Sequence, residues 1–275
     1  MDRVPDRDGG LPPVRRVGLS APFVWLAQGF SDFLRAPGPM LAYGALVAAV
    51  SSGLLYGLYQ SNAAFWLLTL TFGFVFVAPM LAMGPYEAGR RLAAGLPVRL
   101  ADVAFVRPAF RQDVAFLGLA LLLVYLFWGR VAQIVFGLST YQMFDTVEAF
   151  VRFALFTADG HTMLMAGTLV GGVIAYFTFV MVVVAAPLLL DPRVNVFVAT
   201  LTSFRAAAAN VAPLTLWAAI IAVLLLVSAA TGFLAFLVIF PWLGLASWRA
   251  RMALVELAPE ATQATPPPPL DAQPA

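Results

Sequence analysis

Long stretches without charge alternate with short arginine-bearing segments along this chain. Residues 36–86 cover 51 positions without an Asp, Glu, Arg or His, and residues 206–248 cover 43. Two further uncharged stretches run from Val114 to Gly129 and from Thr162 to Leu190. Soluble helices of this length carry charge on their outer faces, so the pattern predicts lipid as the main solvent. A span needs about 20 apolar residues rising 1.5 Å each. On that scale the chain predicts six transmembrane helices at 40–59, 64–86, 114–138, 164–190, 212–231 and 233–249. The polar break Gln60-Ser61-Asn62 separates the first two, and Thr231-Gly232 the last two.

An amphipathic segment precedes each pair of spans. Phe23, Leu26, Ala27, Phe30, Phe33 and Leu34 share one helical face, with Gln28, Asp32 and Arg35 opposite. Leu100, Val103, Val106 and Phe110 recur at helical spacing around Pro108, and Val194, Phe197, Leu201 and Phe204 do so later. Such helices lie in the membrane interface or cover the end of a bundle. The units look repeated. Phe30, Pro39, Met40 and Tyr43 match Phe204, Pro213, Leu214 and Trp217 at a constant offset. Ala78-Pro79-Met80-Leu81 resembles Ala186-Pro187-Leu188-Leu189 and Phe240-Pro241-Trp242-Leu243. The expected fold class is an all-α membrane protein: six transmembrane helices as three parallel helical hairpins, each preceded by a cytoplasmic amphipathic helix. A parallel repeat of this kind differs from the inverted repeats of many secondary transporters.

Arginine placement sets the orientation. Fourteen of the sixteen arginines fall in segments on one side of these spans; only Arg130 and Arg152 fall on the other. The positive-inside rule then places both termini in the cytoplasm and the 139–162 loop outside. Residues 1–20, rich in Asp, Arg, Pro and Gly, read as a disordered cytoplasmic tail; 21–256 form the transmembrane domain; 257–275, with Pro266 to Pro269, read as a disordered proline-rich tail. No cleavable signal peptide is expected, because about forty residues of mixed polarity precede the first apolar span.

Composition narrows the chemistry. Charged residues make up 11% of the chain, against roughly 25% in soluble domains. The absence of cysteine excludes disulfides, thiolate metal sites, iron–sulfur ligation and thiol nucleophiles, and lysine is absent as well. Exclusive use of arginine beside abundant alanine suggests a bacterial, high-GC source and an inner-membrane location. No phosphate loop, Ser/His/Asp set or HExxH sequence occurs. No cofactor and no nucleic-acid partner is expected; the expected partners are the lipid bilayer and other membrane proteins.

The candidate polar cluster is Arg130, Gln133, Asp145, Glu148 and Asp159. Arg130 and Gln133 share a face near the outer end of the third span, where an arginine either serves a site or snorkels to the interface. Asp145, Glu148 and Asp159 are the acids on that side, and one of them is expected to approach Arg130. Glu148 and Arg152 are spaced for an ion pair on a surface helix. His161, the single histidine, reads as helix-start chemistry, because metals need more ligands than it can gather. Pro79, Pro187 and Pro241 lie within even-numbered spans and kink or shape them.

The run from Trp25 to Arg91 carries a resemblance. It includes Gly29-Phe30-x-Asp32, Pro39-Met40-Leu41-Ala42-Tyr43-Gly44, Pro79 through Glu87, and Arg90-Arg91-Leu92. Trp128-x-Arg130-Val131, Pro187 through Asp191, and Pro241-Trp242-Leu243-Gly244 with Trp248 extend it. Over roughly 22–255 the chain resembles a bacterial family of uncharacterised predicted integral membrane proteins, some labelled as a cytochrome c oxidase subunit. The resemblance brings no site residues with it. A haem–copper catalytic subunit needs several histidines within its spans, and this chain has one in all. The expected function is therefore a non-enzymatic scaffold, assembly or accessory factor for membrane components. Alternative: a channel or transporter for a small or apolar solute. A lipid-acting enzyme would have to use Glu87, Asp102 or Asp191, and a lone carboxylate is rarely enough for acid–base work.

Overall fold

Uninterrupted apolar sequence leaves few side chains that compete for backbone hydrogen bonds, and nearly every described segment is helical. The computed structural model describes residues 11–140, 142 and 144–256. α1 (Ala21–Arg35) leads into α2 (Pro37–Gln60), α3 (Ala64–Leu81) and α4 (Met83–Ala93). α5 (Leu100–Ala104) and a 3₁₀ turn at Arg107–Phe110 lead into α6 (Gln112–Ser139), α7 (Val147–Phe156), α8 (Ala158–Val182) and α9 (Ala185–Leu188). α10 (Val196–Ala209) leads into α11 (Val211–Ala230) and α12 (Phe236–Leu254).

Five helical stretches are long and apolar enough to cross a membrane: Pro37–Gln60, Ala64–Ala93, Gln112–Ser139, Ala158–Leu188 and Val211–Ala230. They coincide with five of the six expected spans. Between 17% and 33% of each is buried within the protein, so broad apolar faces point outward. Surface of that extent calls for a lipid surround. α12, at the position of the sixth expected span, is not among the five. Arg249 and Arg251 lie in its last turns, and α1, α2 and α4 surround it. Contact is close enough to exclude side chains. A Cβ on Gly44 of α2 would overlap the Leu237 carbonyl, and one on Gly29 of α1 would lie 2.6 Å from the Ala246 nitrogen. Small residues let helix backbones approach in this way.

Two helix breaks match in detail. α1 turns into α2 at Ala36 with φ −139° and ψ 55°, and α10 turns into α11 at Asn210 with φ −135° and ψ 44°. These positions are related by the offset that aligns Phe30 with Phe204. The break before α6, at Arg111, is extended instead, φ −74° and ψ 149°. Among the shorter helices, α5 packs on α4, α10 on α8 and α9, and α1 on α12. Of the three prolines, Pro79 lies two residues before α3 ends, Pro187 lies in the separate turn α9, and α12 runs through Pro241.

Two expectations differ from what is seen. Residues 11–20, read as part of a disordered tail, are pinned. Val14 bridges Val255, Arg15 N–H donates to the Leu254 carbonyl, and Val17 N–H donates to Asn210 Oδ1. Backbone pairing supplies what this apolar-poor segment lacks in burial. The remaining tail residues, 1–10 and 257–275, lie outside the described residues. α1 also presents its faces differently. Phe23, Phe30 and Leu34 are exposed, whereas Asp32, placed on the polar face, is buried with Trp25, Gly29 and Phe33. In lipid the most apolar face need not be the one that packs.

Candidate functional site

The cluster singled out by sequence divides in two. Arg130 Nη1 donates to Gln133 Oε1 at 3.0 Å, one turn apart on α6. Asp145 precedes α7, Glu148 lies in the first turn of α7, and Asp159 in that of α8; all three are exposed. Arg130 makes no ion pair with any of them among the described residues, nor does Glu148 with Arg152. Exposed charges gain little from pairing in water, so nothing draws these side chains together. His161 Nε2 lies 2.7 Å from the Leu155 carbonyl and ties the α7–α8 corner. Thr146 and Thr157 cap those two helices by accepting from Ala149 N and Gly160 N.

The strong ion pairs lie at the arginine-rich end instead. Asp32 of α1 accepts from Arg249 of α12 at 2.6 and 2.7 Å, with Arg35 at 3.4 Å. Glu87 accepts both hydrogen bonds of Arg90 at 2.7 Å, and Arg91 bridges to Asp102 at 3.1 Å. Asp191 accepts from Arg193 at 2.6 Å, which holds its carboxyl below the ordinary value of 3.8. Arg111 donates to the carbonyls of Asp191 and Pro192, stitching α6 to the α9–α10 turn. The buried Arg251 guanidinium stacks 5.2 Å from the Trp248 ring. Glu87, Asp102 and Asp191, the acids open to a catalytic reading, are thus all engaged by arginine. Among the described residues no three of His, Cys, Asp or Glu gather as metal ligands would.

An apolar cavity lies elsewhere, in the half of the bundle away from the arginine-rich end. It encloses about 310 Å³ between α3, α6, α8 and α11, with Phe150 of α7 above it. Phe65, Phe72 and Phe76 come from α3, Trp128 and Phe136 from α6, Gly167 and Gly171 from α8, and Leu225 and Ala229 from α11. Its polar side chains are Trp128, Thr69, Thr71 and Thr168. Trp128 Nε1–H donates to the Thr69 carbonyl at 3.1 Å, and Thr69 Oγ1–H donates to the Phe65 carbonyl at 2.8 Å. Gly171 has a structural reason, since a Cβ there would lie 2.7 Å from the Trp128 ring. Below the chamber the protein is solid. Leu117, Leu121, residues 182–190, Leu214 and Trp217 fill the arginine-side half. Chemically the chamber offers van der Waals surface and no reactive group. Sequence reading passed over it because chamber-lining and lipid-facing residues are of the same types. Only the nearby Gly167, Gly171 and Gly172 mark α8, and small residues mark ordinary helix packing equally well.

Apolar helices with outward-facing hydrophobic surface and a chamber within them define a multi-pass integral membrane protein. Comparison with known families agrees: residues 67–191 match the family described as Predicted integral membrane protein (DUF2189). Over that stretch the chain matches a family of uncharacterised membrane proteins, as its sequence resemblance indicated. The matched region runs from α3 through α9 and includes most of the chamber wall. Neither a search of curated proteins nor one of solved structures returned a match.

Proposed function

We propose that this is a non-enzymatic protein of the bacterial inner membrane that binds and organises other membrane components. The observation that carries the reading is the apolar chamber of about 310 Å³ within the spans. Ligand sites of this kind are concave, mostly apolar and at least about 300 Å³. The engagement of Glu87, Asp102 and Asp191 by arginine argues against acid–base catalysis, which needs a carboxyl free to exchange a proton. The solid core below the chamber favours binding over transport of a small solute, because passage would require residues 182–190 to move.

In this reading α12 is the sixth span, and the helices form three parallel hairpins. The matching breaks at Ala36 and Asn210 and the packing of α1 on α12, α5 on α4 and α10 on α8 support that arrangement. α1, α5 and α10 lie at the cytoplasmic interface. Phe105, 73% exposed, and Phe197, 81% exposed, would reach the acyl boundary beside exposed Arg107 and Arg193. Both termini are cytoplasmic by the arginine bias.

Purification from native membranes in mild detergent tests the function. Mass spectrometry should find lipid or a membrane-protein partner retained in stoichiometric amount. Protein that emerges free of both, folded and monomeric, would refute the reading.

A further inference from the structure

We propose that the chamber receives one acyl chain of a bilayer phospholipid, admitted sideways through the seam between α8 and α11. This rests on the binding reading above and adds the ligand class and its entrance. Four observations carry it. The first is continuity. A second hollow runs along the outer face of α8 past Leu169, Val173 and Phe177, and it shares Thr168 and Gly172 with the chamber. At Thr168 and Gly172 the chamber wall is therefore also part of the lipid-facing surface of α8. The second is the seam. α11 packs on α1, α10 and α12 but makes at most marginal backbone contact with α8. Tyr176 Oη and Thr215 Oγ1, 2.8 Å apart, close the seam toward the arginine end. Above that bond the lining of these two helices includes Gly172 on α8 and Ala222 and Ala229 on α11, beside Leu225 and Leu226.

The third observation is size. The lining runs along α3 from Phe65 to Phe76, about 17 Å at 1.5 Å per residue. One leaflet contributes about 15 Å of hydrocarbon, half of a core about 30 Å thick. A chain from the adjacent leaflet therefore matches the depth of the chamber, and 310 Å³ suits one chain better than a whole lipid. The fourth is chemistry. Water would need two to four polar partners, while Trp128 and Thr69 have already spent their donors on backbone carbonyls. An empty space of this size would forfeit the dispersion contacts of its lining. A hydrocarbon chain satisfies the walls without asking for a hydrogen bond.

Gly172 provides the test, because it lines both hollows and a Cβ there meets nothing within 4 Å, so the side chain of Gly172→Phe starts from open space at the seam. The full chain is reconstituted in phosphatidylethanolamine and phosphatidylglycerol vesicles with a phosphatidylcholine carrying a mid-chain diazirine. After irradiation, adducts are mapped by mass spectrometry. A parallel arm uses a small hydrocarbon diazirine with no headgroup. We expect lipid adducts on Phe76 and Trp128, which are buried from surrounding lipid, beside adducts on exposed Leu119 and Leu123. Gly172→Phe should lower the Phe76 and Trp128 adducts roughly tenfold, as an occupancy penalty of about 1.4 kcal/mol gives, and spare the surface ones. Gly57→Phe, likewise in open space but on α2, should change nothing. Lipid adducts at the surface alone, with the small probe still reaching Trp128, would overturn the phospholipid proposal and leave the chamber as a site for another apolar ligand. Equal labelling of Trp128 in the native protein and in Gly172→Phe would overturn the seam. No labelling of Phe76 or Trp128 by either probe would overturn both the proposal and the binding reading.

Discussion

Removing the Asp32 carboxylate should cost the protein a large share of its stability. Its side chain is 2% exposed and takes two hydrogen bonds from Arg249, at 2.6 and 2.7 Å, across the α1–α12 contact. Breaking a buried ion pair from one side costs about 3–5 kcal/mol, because the remaining charge is left unpaired. Arg249 is 23% exposed and can turn part of its guanidinium to water, which places Asp32→Leu near the lower limit, about 3 kcal/mol. At roughly 2–4 °C per kcal/mol for a chain of this size, the melting temperature in detergent should fall by roughly 6–12 °C. Arg249→Met should cost less, because Arg35 remains 3.4 Å from the carboxylate. The double variant replaces both charges by apolar side chains and should recover about 2 kcal/mol relative to the sum of the singles. Thermal unfolding of all four proteins, read by circular dichroism, gives the cycle. Additive single effects, or an Asp32→Leu variant as stable as the parent, would show that the bridge does not hold α1 to α12.

Further outcomes follow from other contacts. Gly44→Leu should abolish folded yield, since any Cβ there overlaps the Leu237 carbonyl; size-exclusion profiles will show it. Asn210→Ala should cost about 1–3 kcal/mol, because Asn210 accepts from Val17 N–H and donates to the carbonyls of Arg15 and Ala206; early proteolysis near residue 17 is the readout. Arg130→Gln should shift stability by less than about 0.5 kcal/mol, as Gln133 is its one hydrogen-bond partner among the described residues. Asp191 has its folded pKa depressed below 3.8 by Arg193, so its contribution is complete above that pH and is lost as pH falls through the lower folded value. Arg193→Gln should therefore flatten the acid limb of a melting-temperature profile. Reporter fusions at Gly9 and Ala261 should be active only in a cytoplasmic form if the arginine bias reads correctly.

Much of this architecture was legible because lipid imposes a crude rule: a span is long, uncharged and bounded by arginine. That rule located α2, α6 and α11 within three residues of their ends. It served α12 less well. There, Phe236, Phe240, Leu245 and Ala246 are buried by protein instead of lipid, and the helix extends five residues beyond the expected boundary at Arg249 to carry Arg251. Asp32 was misplaced for a related reason. The spacing of apolar residues along a helix identifies the face that avoids water, yet α1 packs through Gly29 and a carboxylate whose partner lies 217 residues away. No local pattern encodes such a partner. The chamber left even less trace, since it exists only where four helices from distant parts of the sequence fail to close.

The tie between the two ends of the described chain constrains the order of assembly. Val14 bridges Val255, Glu256 N–H donates to the Pro13 carbonyl, and α1 rests mainly on α12. A ribosome makes α1 first and α12 last, so the earliest helix must wait at the membrane for nearly the whole chain before it can dock. Until then Asp32 has Arg35 beside it, with its α12 partner still to be made. A chain released after α11 should therefore insert its spans yet leave α1 undocked, open to proteases and to quality control.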